Sequence, residues 1–579
     1  MKNSTSPCQF CLSENVVYKE VAVIGNGPSG MVTSFMLAGN VPYLREVPDD
    51  LPLDDMFKAR LSSVPTGSSL YDVNLSELAE GLEGRSQNPI PLLMDNLLRP
   101  CADLGVQADS LIEWKYEPEK QIDHVVLGKG PPGGAWHTFP AEVRTLSPAA
   151  WLSLPPHSSV SGGGGRLSAR AVANYCKRYV HACNLQKYFR NGVWVRSIRS
   201  VRSSMVPCSS RCVLNARFLI TCSEVGTMGE WAVLSRRVVV ACGAHAFNSL
   251  EGVRPHALHA LRDVARALRA MRVRAPTAHA LVVGSGVSAA DALHACARNG
   301  LTVHHVYRTP APALASLSRE HYPDYHQVYN MMCEGPSKTH QNYIPHPDHA
   351  ILDITPLPQT NIRDEAIRPK RVKLLNLVTK QVTEITVALI AVLIGAKPDL
   401  SFLQTDLNSN SVDIYQCIEK RDTIEHCIDI DRKPPKRKMN DQRQCFLKNN
   451  WYTLKSILGQ SIQSCKSRYL SYTKVNENDP KMAEDCDNKK GRLENNVTNA
   501  IEYEKNPYSR GIGFGVDPEK PVDCRSNPVA IDKRTHELLN GPPGIYALGP
   551  VTADNFIRFI PGGALALVSH IHKQKLTEL

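Results

Sequence analysis

The sequence predicts an α/β fold of two parallel-sheet units, each opening with a buried strand, a glycine turn and a helix. Three observations carry this. Val21-Ala-Val-Ile24 is followed at once by Gly25-Asn-Gly27-Pro-Ser-Gly30 and a breaker-free run from Met31 to Ala38. The same order recurs at Leu281 to Val283, Gly284-Ser-Gly286-Val-Ser-Ala289 and the helical run towards Gly300. Near the end, Gly544-Ile-Tyr-Ala-Leu-Gly549 leads into Pro561-Gly562-Gly563-Ala564-Leu565, again strand, loop and glycine-led helix.

Each element has a physical reason. A short β-branched run with no polar alternation suits a strand buried on both faces of a parallel sheet. In a G-x-G-x-x-G turn, Gly25 allows the tight bend and Gly27 lets a pyrophosphate approach the backbone. Gly30 lets helix and strand pack closely, and the helix N-terminus faces the phosphates. An acid after the next strand would bind the ribose hydroxyls. Glu46 stands at about the expected ~20-residue spacing, with Asp49 and Asp50 as competitors. Between the two units, Arg236-Arg-Val-Val-Val-Ala-Cys-Gly243-Ala reads as an apolar strand whose small end lets a backbone pass close to a ligand. In the second unit Ala289 takes the third glycine position, where a methyl still fits the helix–strand contact. Arg308 ends the following strand, Val303 to Tyr307, where a ribose 2′-phosphate would sit, and so favours NADP over NAD. The run from Val387 through Gly395 to Asp399 closes that unit as another buried strand. Both units are therefore Rossmann-like and expected to bind dinucleotides.

Composition sets the outer bounds. At 579 residues, with 42% hydrophobic and 21% charged residues, the chain has room for two or three globular domains. Its net charge of +11 is spread along the sequence and requires no nucleic acid. The opening MKNSTSPC has no apolar core, no run approaches the ~18 apolar residues of a membrane span, and the 17 cysteines lack a disulfide rhythm. The expectation is a reducing, cytoplasmic setting. Cys8-Gln-Phe-Cys11 is half of a zinc pattern without a second half, and the histidines from His321 to His349 are irregularly spaced among prolines, so no metal is expected. Residues 404–514 are charged and poor in apolar groups, which predicts a partly disordered insertion. Within it, Arg432 to Lys438 is a candidate nuclear-import signal, and Trp451 to Leu458 a candidate amphipathic helix.

The stretches IGNGPSG, KGPPGGAWHTFP, HYPDYHQVYNMM and ALGPVTADNFIRFIPGGALA resemble the oxidative stress-induced growth inhibitor family, which is related to flavin-containing monooxygenases. That resemblance implies FAD on the first unit, NADPH on the second, and a role in growth and cell-division control, with the midbody or nucleus as further locations. The implied layout is a tail over 1–15, an FAD domain over 16–250 completed by 515–579, and an NAD(P) domain over 251–403. It implies further that Gly25, Gly27 and Gly30 hold the FAD pyrophosphate and that Gly284, Gly286 and Ala289 hold that of NADPH. Gly133, Gly134 and Trp136 would lie near the flavin, and a helix starting around Gly562 and Gly563 would face its pyrimidine edge. After Gly549 the family relatives of wider type carry an aspartate directly; here Pro550 follows, and Asp554 is the candidate for the ribityl chain. The motif F-x-G-x-x-x-H of flavin-containing monooxygenases is not evident. The leading expectation is an NADPH-dependent flavin monooxygenase acting on an oxidisable small molecule or protein. The alternative is an FAD-binding regulatory protein that works through protein partners; a disulfide reductase would need a cysteine pair beside the flavin, and Cys8 and Cys11 are misplaced for that. No general acid or base is assigned, and His137, His245 and His326 are candidates only.

Overall fold

The computed structural model describes residues 15–403 except 66, 107, 157–164, 203–214, 227–228, 275–277 and 359–364, together with 407, 412–413 and 511–578. The Cys8–Cys11 pair, the basic run 432–438 and the candidate helix around Trp451 lie outside the described residues.

The first sheet is built around β1 (Val16–Ile24). Its end, Val21 to Ile24, is fully buried because strands lie parallel on both sides of it. The helix Pro28–Leu37 follows, starting from Gly27 with Pro28 in its first turn, where a missing N–H costs nothing. The chain then leaves the sheet. β2 (Asn40–Leu44) and β3 (Ile112–Tyr116) form their own antiparallel pair. Only with β4 (His124–Gly128) does a parallel neighbour reach β1, in the register Ile24 opposite Leu127. β5 (Phe189–Asn191) extends that edge. β6 (Val193–Arg202), β7 (Phe218–Glu224) and β8 (Glu230–Val240) run as an antiparallel meander, and β8 returns to lie parallel to β1 on its other side.

The second sheet is a four-stranded parallel one. β9 (His279–Val283) lies beside β10 (Thr302–Tyr307), which lies beside β11 (Tyr343–Pro347). A three-stranded antiparallel meander follows, β12 (His349–Pro356), β13 (Lys370–Asn376) and β14 (Val382–Val387). β15 (Leu389–Val392) then completes the parallel sheet on the free side of β9. The sequence anticipates this order, with the helix Val287–Arg298 between β9 and β10.

After the long excursion the chain returns to the first sheet as β16 (Ile545–Ala547), parallel to β8. The helix Ile560–Glu578 follows and packs against the helices Pro28–Leu37 and Pro89–Leu98. Ala564 to Val568 and Ile571 are buried all round, which explains why this helix has no amphipathic stripe. The strand pairing thus makes residues from both ends of the chain parts of one α/β layer. Among the described residues, no helix is long and apolar enough to cross a membrane.

Candidate functional site: two glycine cradles

The first turn has a sealed floor and an open mouth. Gly25 sits at φ 119°, a conformation L side chains rarely adopt, and a Cβ there would meet the Ala241 carbonyl oxygen at 2.3 Å. A Cβ on Gly30 would lie 1.9 Å from the Gly25 carbonyl oxygen, so only glycine lets the helix start this close to the strand. Gly27 differs: nothing lies within 4 Å of an added Cβ. Its extended backbone (φ −72°, ψ −175°) leads into the first helical turn, whose leading N–H groups have no intrahelical acceptor. Space and donors together form an anion cradle.

Three distant segments close round this turn. The Gly133 N–H donates to the Asn26 carbonyl at 2.9 Å, and a Cβ on Gly134 would stand 3.1 Å from the Gly27 Cα. The Ala241 N–H donates to Ile24 at 2.9 Å, carrying Cys242 and Gly243 past the turn. Gly549, at φ 79°, sits where a Cβ would strike Ser29 Oγ at 2.3 Å. Trp136 follows on the short turn Gly134–His137, half-buried against the core and edge-on to Phe139 at 5.6 Å.

Other candidates are held by partners within the chain. Asp554 is 2% exposed, and its carboxylate accepts from Ser86 Oγ at 2.5 Å and Asn88 Nδ2 at 2.9 Å. Burial pushes its pKa up to about 6, against the pull of those two hydrogen bonds. It therefore ties the loop after β16 to the segment before the helix Pro89–Leu98. The C-terminal helix starts at Ile560, so Gly562 and Gly563 lie within its first turn. A Cβ on Gly562 would meet the Pro91 Cα at 2.3 Å, and one on Gly563 would meet the His536 ring at 3.1 Å. Backbone contact leaves no room for a side chain at Gly562, and Gly563 lets the His536 ring pack close. Beside them, Arg558 is held between Asp95 (Nε–Oδ2 2.7 Å) and Asp103 (Nη1–Oδ1 2.8 Å) and lies over Trp151 at 4.3 Å.

The structure corrects the Glu46 expectation. The strand before it, β2, pairs with β3 and has no place beside β1, and Glu46 is exposed. Asp49 and Asp50, further along the same loop, are exposed too. The strand that does follow the helix in the sheet is β4, and the residue at its end, level with the turn, is Gly128. An insertion between helix and strand displaced the spacing rule.

The second turn repeats the first. Gly284 stands at φ 131°, where a Cβ would meet the Leu393 carbonyl oxygen at 2.4 Å, and Gly286 has nothing within 4 Å. Ala289 is buried, its Cβ 3.6 Å from where a Cβ on Gly284 would stand. Arg308 is exposed directly after β10, the strand beside β9, and makes no hydrogen bond or ion pair with any described residue.

Sequence reasoning missed how the units meet. Arg166, beside β-paired Arg144–Pro148, donates through Nε to the Thr145 carbonyl at 2.7 Å. Its guanidinium then lies over Tyr322 at 4.6 Å and Tyr325 at 5.2 Å, at the start of the helix Pro323–Glu334. The Tyr325 hydroxyl donates to Asp291 at 3.0 Å, and Tyr322 donates to the Leu146 carbonyl. Burial raises the Asp291 pKa to about 6. A cavity of about 200 Å³ opens here, lined by Arg144, Arg166, Asp291, His294 and Asp324, with no glycine of either turn in its lining. The signal was present in HYPDYHQ, whose two tyrosines stand three apart, Tyr322 at the cap of the helix and Tyr325 in its first turn.

The candidate histidines divide. His137 Nε2 lies 2.8 Å from the Pro132 carbonyl and His326 Nε2 lies 2.5 Å from that of Leu317, so each ring secures local backbone. His245 stands 3.5 Å from Lys129 Nζ and 4.0 Å from Asp399, at the crossing between the sheets. Burial first, and Lys129 second, lower its pKa. Among the described residues, no group of three or more His, Cys, Asp and Glu is arranged to hold a metal.

No protein-family model matches the chain. Oxidative stress-induced growth inhibitor 2 of Homo sapiens is 26% identical, over 96% of this chain and 94% of its own. Oxidative stress-induced growth inhibitor 1 of Mus musculus is 28% identical, over 96% of this chain and 95% of its own. Among solved structures, the bacillithiol disulfide reductase Bdr of Staphylococcus aureus superposes with a TM-score of 0.47 at 11% identity, covering 96% of this chain and 99% of that one. Over nearly all of its length, the chain is similar to the oxidative stress-induced growth inhibitors, as its own motifs imply.

Proposed function

We propose that this chain is a flavoprotein oxidoreductase that holds FAD in the first cradle and NADPH in the second. One observation carries the reading. Both turns are closed to a side chain at their first glycine and open at their second, and the first is closed again at Gly30. Two such turns in one α/β protein fit one dinucleotide each. In this reading the FAD domain spans 16–250 and 515–579, and the NADPH domain spans 251–403.

FAD, when bound, would accept hydride from NADPH and pass the electrons on. The chain's own residues do the rest. The N–H groups after Gly27 and Gly286 hold the two pyrophosphates, and Arg308 meets the 2′-phosphate of NADPH in a charge-assisted contact. Gly133, Gly134 and Gly243 let backbone approach the flavin side of the first turn, and Trp136 shields it from water. Asp554 stays buried between Ser86 and Asn88, as a support of the ribityl loop. Oxygen transfer to a substrate, a monooxygenase reaction, is the proposed activity.

A second reading has its own support. His137, the histidine beside the paired glycines of the first turn, already holds the Pro132 carbonyl through Nε2, and no general acid or base is assigned. The relatives are named as growth inhibitors. An FAD-bound regulator of growth and cell division, acting in the cytoplasm, midbody or nucleus through protein partners, meets both facts. NADPH turnover with a defined oxygenated product supports the enzyme; tight FAD binding without any NADPH oxidation supports the regulator.

A further inference from the structure

The end of β4 is where a dinucleotide turn normally presents a carboxylate to the adenosine ribose. In this chain that place is taken from both sides. Gly128 has no side chain, and one could not be added: its Cβ would lie 2.1 Å from Asn26 Cγ, 2.2 Å from Nδ2 and 2.5 Å from Oδ1. The Asn26 side chain, 4% exposed, occupies that volume instead. It is fixed there by two bonds from one amino group, to the Gly130 carbonyl at 2.5 Å and to Asn191 Oδ1 at 2.8 Å. Asn191 ends β5, the strand beyond β4, so the amide pair bridges the sheet edge over Gly128.

We infer that the Asn26–Asn191 amide pair replaces the carboxylate as the ribose-recognising group of the first cradle. The inference rests on the proposal that this cradle holds FAD. Bridging uses the Asn26 amino group and the Asn191 oxygen. The Asn26 oxygen and the Asn191 amino group make no bond with other described residues, which leaves one acceptor and one donor for vicinal hydroxyls. Unlike a carboxylate, the pair is uncharged, and Lys129 directly follows Gly128. Gly128 and Asn26 are therefore interlocked: glycine at one position is the condition for asparagine at the other.

The test is equilibrium binding of FAD, followed by flavin fluorescence, and of ADP, followed by calorimetry, to the full chain stripped of flavin. Asn26→Ala and Asn191→Ala should each weaken FAD and ADP by roughly tenfold, the loss of one or two hydrogen bonds. Gly128→Glu should lose binding, whereas the double change Asn26→Gly with Gly128→Glu restores it to within about threefold of wild type, by restoring the usual carboxylate. Asn191 is exposed, so its variant keeps the fold, and circular-dichroism melting of each flavin-free variant separates lost binding from lost folding. Wild-type affinity in both alanine variants, with the wild type itself binding FAD, overturns the inference and leaves the flavoprotein reading standing. A folded wild type that binds neither FAD nor ADP overturns both.

Discussion

Gly27 and Gly30 stand three residues apart in one turn yet answer to different forces. At Gly30 a methyl collides with backbone at 1.9 Å, so Gly30→Ala should cost folding stability, on the order of 1–3 kcal/mol for an overpacked contact. Thermal melting of flavin-free protein checks this. At Gly27 there is space, so Gly27→Val should melt near wild type while losing FAD, a separation that absorbance and melting measure together. Arg308, exposed and unpartnered among the described residues, belongs to the same scale. Arg308→Ala should narrow the preference for NADPH over NADH by roughly tenfold or more, on the order of 1.5–3 kcal/mol for a charged hydrogen bond. An unchanged ratio of binding constants would remove Arg308 from the site. Asp554 makes a pH prediction. Its folded pKa of about 6 lies above the ordinary 3.8, so between those values the folded chain keeps a proton that the unfolded chain has released. Stability from this group therefore falls as pH rises from 4 to 6, and stays lower above that window. Asp554→Asn should flatten that fall by an amount on the order of 2 kcal/mol, whatever its absolute stability. Denaturant melts from pH 4 to pH 7 measure the slope.

Helices and strands were legible where their signal was local. Each strand–turn–helix unit lies within a short stretch, and β9, its helix and β10 fall where the pattern puts them. What escaped was whatever depended on distant pairing. Nothing near Glu46 tells that β2 pairs with β3, or that the neighbour of β1 arrives only at His124. Gly562 and Gly563 could be marked as special, but their reason is contact with Pro91 and His536, from elements far off in sequence. Arg166 escaped for the same cause. Its guanidinium lies over Tyr322 and Tyr325 of the second unit, and its backbone belongs to the hairpin that leads from the first. If both cradles are loaded as proposed, this contact would help to orient one toward the other, which would make Arg166 a positioning residue. Arg166→Ala should leave FAD content unchanged but slow flavin reduction by NADPH at least severalfold, with Arg166→Lys restoring part of the rate through the remaining cation–π contact. Stopped-flow absorbance at saturating NADPH is the measurement. A wild-type rate in Arg166→Ala would mean that other contacts set the orientation.

At the scale of the molecule, the fold closes through residues at its two ends. β16 completes the sheet begun by β1, and the Ile560–Glu578 helix covers it. Residues 414–506 are charged and poor in apolar groups, so they have little to bury, whereas Val412 and Asp413 just before them pair with β6. Replacing residues 414–506 with a short Gly/Ser linker should therefore leave FAD content near wild type. Loss of flavin from the soluble deletion variant would make the segment part of the cofactor-binding unit. The central claim, two cradles that share electrons between two dinucleotides, is tested most directly by one spectrum. Purified chain, supplied with FAD and desalted, should show the absorbance of oxidised protein-bound flavin, and that absorbance should bleach on anaerobic addition of NADPH and return with air. Protein that stays colourless after incubation with FAD, with its fold intact by circular dichroism, would contradict the account.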